Sequence, residues 1–340
     1  QVDGASRIQQ IMHITVPGLM PTFFVLLMLS ILLVAASYTW FSISRRPRVS
    51  DMKLYVNAPV GLELAPAYNS EEWVQQLNFN ELVEETSILK PVTWSQEKNK
   101  LMAIDYGLDG RMTDRWTQLS DEQNANKKSS DGYYTMCTVY ARSDEPMNVS
   151  LSPAVQLSDG SAGAGTYVVG TPEWDGNTVR HEDGGSGAQY AIRVGLRITP
   201  VDPATGQATG QPEFFIYEPN CDQHVVQAGQ SSAETGYVAT QSIDGTDSLI
   251  DDAHLIRQTT STWTEADPVQ RTVVMYQLGE FLTDTRLFSL QQNGMVRMDV
   301  YLWLEGQDVD CTNVIGDAAK IFASIQLQGD AGHGGLGEIP

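Results

Sequence analysis

The chain has few of the basic residues that nucleic-acid-binding proteins use. It contains 21 Lys and Arg against 42 Asp and Glu, which gives a formal net charge of −21 over 340 residues. Residues 1–50 have a net charge of +3, so the remaining 290 residues carry −24. Such an acidic body repels phosphate backbones and anionic lipid headgroups. The composition therefore predicts no nucleic-acid partner and favours a solvated extracellular surface.

Cysteine is scarce, and no C-x-x-C motif is present to suggest a zinc or redox site. Of the three cysteines, Cys137 lies in an apolar run and is predicted to be a buried free thiol. Cys221 and Cys311 each follow a strand-like run and precede a polar turn. We expect these two to form a disulfide.

Catalytic motifs are also missing. The sequence has no H-E-x-x-H, no G-x-S-x-G, no G-x-x-x-x-G-K-[ST], and no G-x-G-x-x-G between a strand and a helix. Its five histidines are scattered. The sequence therefore predicts a protein that is not an enzyme, with no catalytic residues and no cofactor other than a possible calcium ion.

Calcium is considered because two turns are rich in carboxylates. Oxygen ligands suit Ca²⁺, although neither turn has the spacing of an EF-hand loop. Solvated turns, in which Asp side chains bond the local backbone, explain the same pattern. The candidate ligands are Asp244, Asp247, Asp308 and Asp310.

One long segment has no charge at all. Residues 8–44 contain no Asp, Glu, Lys or Arg, and residues 22–43 are almost wholly apolar. About 20 apolar residues in a helix span a bilayer. A cleavable signal, a retained membrane anchor and a helix in the core of a filament all remain open. A signal peptide usually has a shorter apolar core, of 7 to 15 residues.

The flanks of this segment bear on its role. Arg45, Arg46 and Arg48 follow it, which by the positive-inside rule favours a cytoplasmic body, but long domains translocate largely regardless of such charges. If the helix is retained, copies of the chain are expected to pack through it into a homopolymer, using small residues that allow close approach. The predicted assembly residues are Leu29, Ser30, Leu33, Ala35, Ala36 and Ser37.

The body reads as strands separated by turns. Segments 188–199, 295–304 and 320–327 alternate apolar and polar residues, which predicts one face in a core and one in water, with Arg193, Arg197 and Asp299 on the wet face. Residues 70–85 are predicted to be helical, with Ser70 as a possible N-cap. The pattern predicts a mainly β fold, an antiparallel β-sandwich with long loops. The predicted domains are an N-terminal apolar helix (1–44), a β-sandwich ectodomain (45–328) and a Gly-rich tail (329–340).

Two short segments resemble a known family. The junction Leu33-Val-Ala-Ala-Ser-Tyr-Thr-Trp-Phe-Ser42 is similar to the signal region of the TasA/camelysin family of Gram-positive surface and matrix proteins, with Thr39 where the family usually has Ala. The segment Tyr301-Leu-Trp-Leu-Glu-Gly-Gln-Asp-Val-Asp-Cys311 is similar to a W-[IL]-E-G-x-D-x-D-C pattern in related clostridial surface proteins. The resemblance implies a jelly-roll-like sandwich, export, and fibre formation by strand exchange.

An apolar N-terminal helix followed by a β-rich head also resembles the layout of pilin-like subunits. The predicted function is a non-catalytic structural subunit of an extracellular filament or cell-surface matrix. The alternative is a membrane-anchored binding module, for glycans or Ca-dependent, or an anchored hydrolase. In a glycan module, loop tryptophans would contact the sugar, although such residues more often fill cores; the candidates are Trp94, Trp116, Trp174 and Trp263.

Overall fold

The structure is a computed structural model that describes residues 21, 24–28, 49–79, 88–89, 91–95, 99–106, 112–120, 131–153, 165–170, 173–174, 177–178, 188–222, 254–260, 262–266, 272–277, 279–306, 308 and 319–331. The chain divides into two compact units, Gln1–Arg45 and Arg46–Pro340. The second is called the β unit below.

In the first unit, residues 24–28 are helical and exposed. Across the described residues, no helix is both long enough and apolar enough to cross a membrane. Most of the 22–43 run lies outside the described residues, so the predicted transmembrane helix stays a prediction.

The β unit is mainly strand, as the alternating pattern predicted. Its one described helix, α1, is the single turn Ala188–Ala191. Its strands are β1 (Val49–Asn57), β2 (Glu63–Ala65), β3 (Gln76–Phe79), β4 (Ile88–Leu89), β5 (Val92–Ser95), β6 (Lys100–Tyr106), β7 (Met112–Gln118), β8 (Asp131–Gly132), β9 (Tyr134–Ser143), β10 (Met147–Leu151), β11 (Tyr167–Gly170), β12 (Glu173–Trp174), β13 (Asn177–Thr178), β14 (Ile192–Val201), β15 (Glu213–Glu218), β16 (Leu255–Arg257), β17 (Thr262–Ala266), β18 (Thr272–Gln277), β19 (Arg286–Leu290), β20 (Gly294–Leu304) and β21 (Ala319–Ala331).

Two sheets contain most of these strands. The first sheet has the order β19-β10-β21-β1-β3, and β11 also pairs with β21. The second sheet has the order β16-β15-β14-β20-β9-β2. The first sheet is mixed, because β1 runs parallel to β21, and the second contains a parallel pair, β15 with β16. The predicted antiparallel arrangement therefore holds for most described strand pairs, but not for these two or for β4 with β8. Long connections allow such strands to enter in the same direction.

The two sheets contribute to one hydrophobic core. Leu54 and Val56 of β1 lie in the same buried cluster as Val194 and Leu196 of β14. The β2–β3 connection links the sheets along one side, where Leu64 and Val74 exchange backbone hydrogen bonds of 2.7 and 2.9 Å. Each sheet thus faces the core with its alternating apolar side chains.

The second sheet is buried on its other face as well. Trp94 of β5 and Leu101 of β6 form a second cluster with Phe214, Tyr301 and Trp303. These two strands belong to a small sheet of order β5-β6-β7. Arg193 and Asp299, predicted to face water, are buried, and Arg197 is half-buried. A sheet covered on both faces leaves no wet side for the polar residues of its central strands.

Two local predictions change. The predicted helix at 70–85 is wrong over its described part, because β3 pairs with β1 and Val74 bridges Leu64. Leu77 and Phe79 pack against the core while Gln76 and Asn78 are exposed, a period of two that suits a strand. Strand β21 continues to Ala331, three residues into the segment predicted to be a tail.

Candidate functional site

A buried cluster of charges is the most polar feature of the core. Arg193 of β14 is fully buried, and its Nη2 lies 3.0 Å from Glu218 Oε1 and 2.5 Å from Asp308 Oδ2. The other carboxylate oxygen of Glu218 lies 2.8 Å from Nε of Arg257. The cluster joins the ends of β14, β15 and β16 to the turn after β20.

The carboxylates around Arg193 determine its pKa. Burial alone would lower the pKa of Arg193, but the neighbouring carboxylates of Glu218, Asp308 and Glu305 outweigh it and raise that pKa above its ordinary value. Arg193 therefore stays charged. A buried ion group of this kind fixes the relative positions of strands more than it adds net stability.

Part of the segment 301–311, which resembles the clostridial pattern, belongs to this buried cluster. Trp303 Nε1 donates a hydrogen bond of 3.1 Å to Glu305 Oε2, and Glu305 N donates one of 2.8 Å to the Ala191 carbonyl. Asp308 binds Arg193. The Trp, Glu and Asp of this motif thus have structural partners inside the β unit.

Asp308 is the one predicted calcium ligand that the structure describes. Its carboxylate accepts the Arg193 hydrogen bond, and no group of three or more His, Cys, Asp and Glu side chains in the described part of the chain is arranged to hold a metal. Asp244, Asp247 and Asp310 lie outside the described residues. The calcium site stays a prediction.

The thiols are buried. Cys137 and Cys221 are both free in the structure, and burial raises the pKa of each thiol, that of Cys221 to about 11. Cys311 lies outside the described residues, so the predicted bridge stays a prediction. The same is true of the assembly residues Leu29, Ser30, Leu33, Ala35, Ala36 and Ser37.

The turn after β15 is tied to neighbouring segments. Asn220 has a positive φ of 55° and donates hydrogen bonds to the carbonyls of Val168 and Gln189, at 3.2 and 3.0 Å. Asp222 Oδ1 accepts from the backbone and hydroxyl of Thr260, at 2.6 and 2.8 Å. These polar groups hold the turn in place.

An open cleft of about 610 Å³ lies beside β2 and β9. Trp73 and Tyr68 line it, together with Glu63 and Arg142. The Arg142 guanidinium lies 4.0 Å from the centre of the Trp73 ring and 2.8 Å from Glu63 Oε2, and Trp73 Nε1 donates to the Ser70 carbonyl at 3.1 Å. The cleft thus presents ordered aromatic and charged groups side by side, the chemistry of an amphipathic ligand site.

A second cleft of about 610 Å³ opens between the two large sheets. Its floor is formed by core residues, among them Phe215, Val296 and Leu287. His254 and Arg286 lie among its polar groups. Among the described strands, β19 is the outermost of the first sheet on this side.

The predicted glycan tryptophans do not form a site together in the described structure. Trp94 is buried and stacks on Phe214 with ring centres 3.6 Å apart, so it belongs to the core. The side chains of Trp116, Trp174 and Trp263 lie outside the description. The sequence analysis did not identify Trp73 or Arg193 as site residues. The unbroken apolar runs 214–217 in β15 and 300–304 in β20 were the available signal that this part of the sheet is buried on both faces.

No protein-family model, curated protein or solved structure matches this chain. The resemblance to the TasA/camelysin family therefore rests on the two quoted segments, and function is argued from the geometry.

Proposed function

We propose that this chain is a non-catalytic structural subunit of an extracellular filament or cell-surface matrix, with a jelly-roll-like β-sandwich as its head. The observation that carries the proposal is the position of β1. This strand lies inside the first sheet, between β21 and β3, and only residues 46–48 separate it from the N-terminal unit.

The short connection supports a structural subunit more than a tethered enzyme. A catalytic or binding module that must sample its surroundings is best attached through a flexible linker, whose reach grows with its length. Here the residue after Arg48 already belongs to a strand with partners on both sides. In a filament subunit, so short a connection would pass tension from the apolar segment to β1.

Assembly through the helix, through strand exchange, or through both fits the rest of the molecule. A segment in extended conformation that pairs with β19 would place alternate side chains over the apolar floor of the cleft between the sheets, in the manner of β-strand addition. The acidic body, with −24 of the net charge, would make neighbouring heads repel each other. Salt or divalent cations should therefore strengthen assembly.

Electron microscopy of the purified full chain tests the proposal, with Leu29→Glu/Leu33→Glu as the disrupting variant. If the helix forms a filament core, the buried unpaired charges should abolish fibres. The matched control is Leu29→Ile/Leu33→Ile, which keeps the apolar character and should assemble normally. Normal fibres from the Glu variant would show that the β unit assembles alone, and dispersed monomers of the parent chain at high concentration would refute the subunit role.

The cleft at Trp73 favours a second candidate, a saccharide-binding module on the cell surface. Aromatic rings contact the C–H faces of a sugar while charged and amide side chains bind its hydroxyls. Titration calorimetry with neutral tetrasaccharides of glucose and of N-acetylglucosamine tests it. Binding that is lost in Trp73→Ala and kept in Trp73→Phe would support the module, and no heat from any of these sugars would exclude it.

A further inference from the structure

Strands β1 and β21, the first and last described strands of the β unit, are neighbours and run in the same direction. Strand β1 pairs with β21 from Val49 opposite Ala319 to Asn57 opposite Gln326. Because the pair is parallel, the chain enters β1 at one end of the pair and leaves β21 beyond the other end. The segments that precede and follow these strands therefore lie at opposite ends of one ladder.

This direction decides how the ladder responds to force. When the preceding and following segments are pulled apart, β1 and β21 are drawn past each other along their length. The backbone hydrogen bonds between them then share the load and must break together. If the pull were applied to both strands at the same end of the pair, the bonds would break one after another at a lower force.

Neighbouring strands hold both members of the pair. Strand β3 pairs with β1 on its other side, from Leu54 opposite Phe79 to Asn57 opposite Gln76. Strands β10 and β11 both pair with β21. Neither strand can slide without breaking these ladders too.

Packing adds to this resistance. Leu54 and Val56 of β1 are completely buried, as are Ile325 and Leu327 of β21. Close-packed side chains cannot move along the strand direction without displacing their neighbours. Shear would therefore pull apolar side chains of β1 out of the core as well as breaking its ladder.

We propose that the β1–β21 pair is a mechanical clamp that keeps the β unit folded under tension applied along the chain. Its use in a filament rests on the proposed function, where pull on the apolar segment would reach the head through β1. The clamp itself belongs to one molecule. It can be tested without filaments, so the clamp and the subunit role can fail separately.

Single-molecule pulling of the full chain in detergent gives the first test. One form carries handles at the two chain ends. The other carries them at Val60→Cys and Asp330→Cys, exposed positions beyond the same end of the pair. We expect a higher unfolding force with the terminal handles, and each released residue should lengthen the chain by about 3.5 Å. Equal or lower force with the terminal handles would overturn the clamp.

A matched pair of core variants gives the second test. Val56→Ala in β1 and Val194→Ala in β14 remove the same atoms from completely buried positions. Both should lower the urea midpoint by similar amounts. Under constant terminal force, Val56→Ala should unfold about tenfold faster than the parent, which corresponds to about 1.4 kcal/mol of barrier.

The control variant should behave differently under force. If β1 slides first, the contacts of Val194 are intact in the transition state, so Val194→Ala should change the unfolding rate by less than about twofold. Equal acceleration by the two variants would show that the unit yields elsewhere, and it would refute the clamp even if the pulling direction mattered.

Discussion

Arg193 supplies the fully buried positive charge among the carboxylates of Glu218, Glu305 and Asp308. We predict that Arg193→Met destabilises the β unit by about 3–5 kcal/mol, because it removes the buried cation from beside Asp308 and leaves Glu218 with Arg257. Urea unfolding measures this loss.

Arg197 provides the control on the same strand. Its guanidinium is half-buried and donates to the Tyr301 hydroxyl at 2.5 Å. Arg197→Met should therefore cost only about 1 kcal/mol. Equal losses for the two variants would show that the buried carboxylates do not depend on Arg193.

The thiol of Cys221 predicts a loss of stability at alkaline pH. Burial first, and then the carboxylate of Glu218, raise its pKa from an ordinary value of 9.0 to about 11. The folded chain holds this proton where the unfolded chain releases it, so the contribution is complete below pH 9 and is lost as the pH rises through 11. Urea midpoints between pH 8 and 11 should fall, and less steeply for Cys221→Ala.

The disulfide predicted from the sequence, between Cys221 and Cys311, would abolish this effect of pH. A bond to Cys311 would remove the titrating thiol, so the parent and Cys221→Ala would share one pH profile. Non-reducing mass spectrometry would then show a peptide joining residues 221 and 311.

Gly195 of β14 leaves space for the aromatic side chains that pack on the outer face of the second sheet. A Cβ there would lie 2.5 Å from Phe214 Cζ and 2.9 Å from Trp303 Cζ3. We predict that Gly195→Ala costs about 1–3 kcal/mol through overpacking, and that it changes the near-UV circular dichroism of the tryptophans. The control is Gly210→Ala, whose Cβ would meet only Pro200 Cγ at 3.2 Å; it should have little effect.

The elements also show what the sequence could predict. Alternation in β14, β20 and β21 revealed strands because one side of each faces the shared core. The prediction that the other side of β14 and β20 faces water was wrong, because β5 and β6 cover it and these strands are distant in sequence. Just before β3, the run Glu71-Glu-Trp-Val-Gln-Gln has good helix formers, but packing of Leu77 and Phe79 against the core and pairing of β3 with β1 override that propensity.

The site was less predictable than the fold. Asp308 was selected for its neighbouring acidic residues, yet its partner Arg193 is 115 residues away in the chain. Trp73 and Arg142 meet in the cleft because β2 pairs with β9, a contact that no local pattern announces. Sequence spacing locates turns well, but it does not say which turns meet.

At the scale of the whole molecule, we predict that the chain 46–340 folds alone as a soluble monomer. All described members of the main core cluster lie between Leu54 and Leu327, so the truncated chain keeps every one of them. Light scattering and circular dichroism of the truncated chain measure this. An unfolded or aggregated product would mean that residues 1–45, or a strand from another copy, complete the fold.

The pairing of β1 with β21 also sets the order of events during biosynthesis. Val56 and its partner Ile325 are separated by 269 residues, so β1 leaves the ribosome long before the strand that completes its sheet. At 5–20 residues per second, synthesis of that interval takes about 15–50 s. During this time β1 has no β21 to pair with, so one side of the strand stays unpaired. The first sheet therefore closes only after β21 has been made, and until then the core that it shares with the second sheet is incomplete.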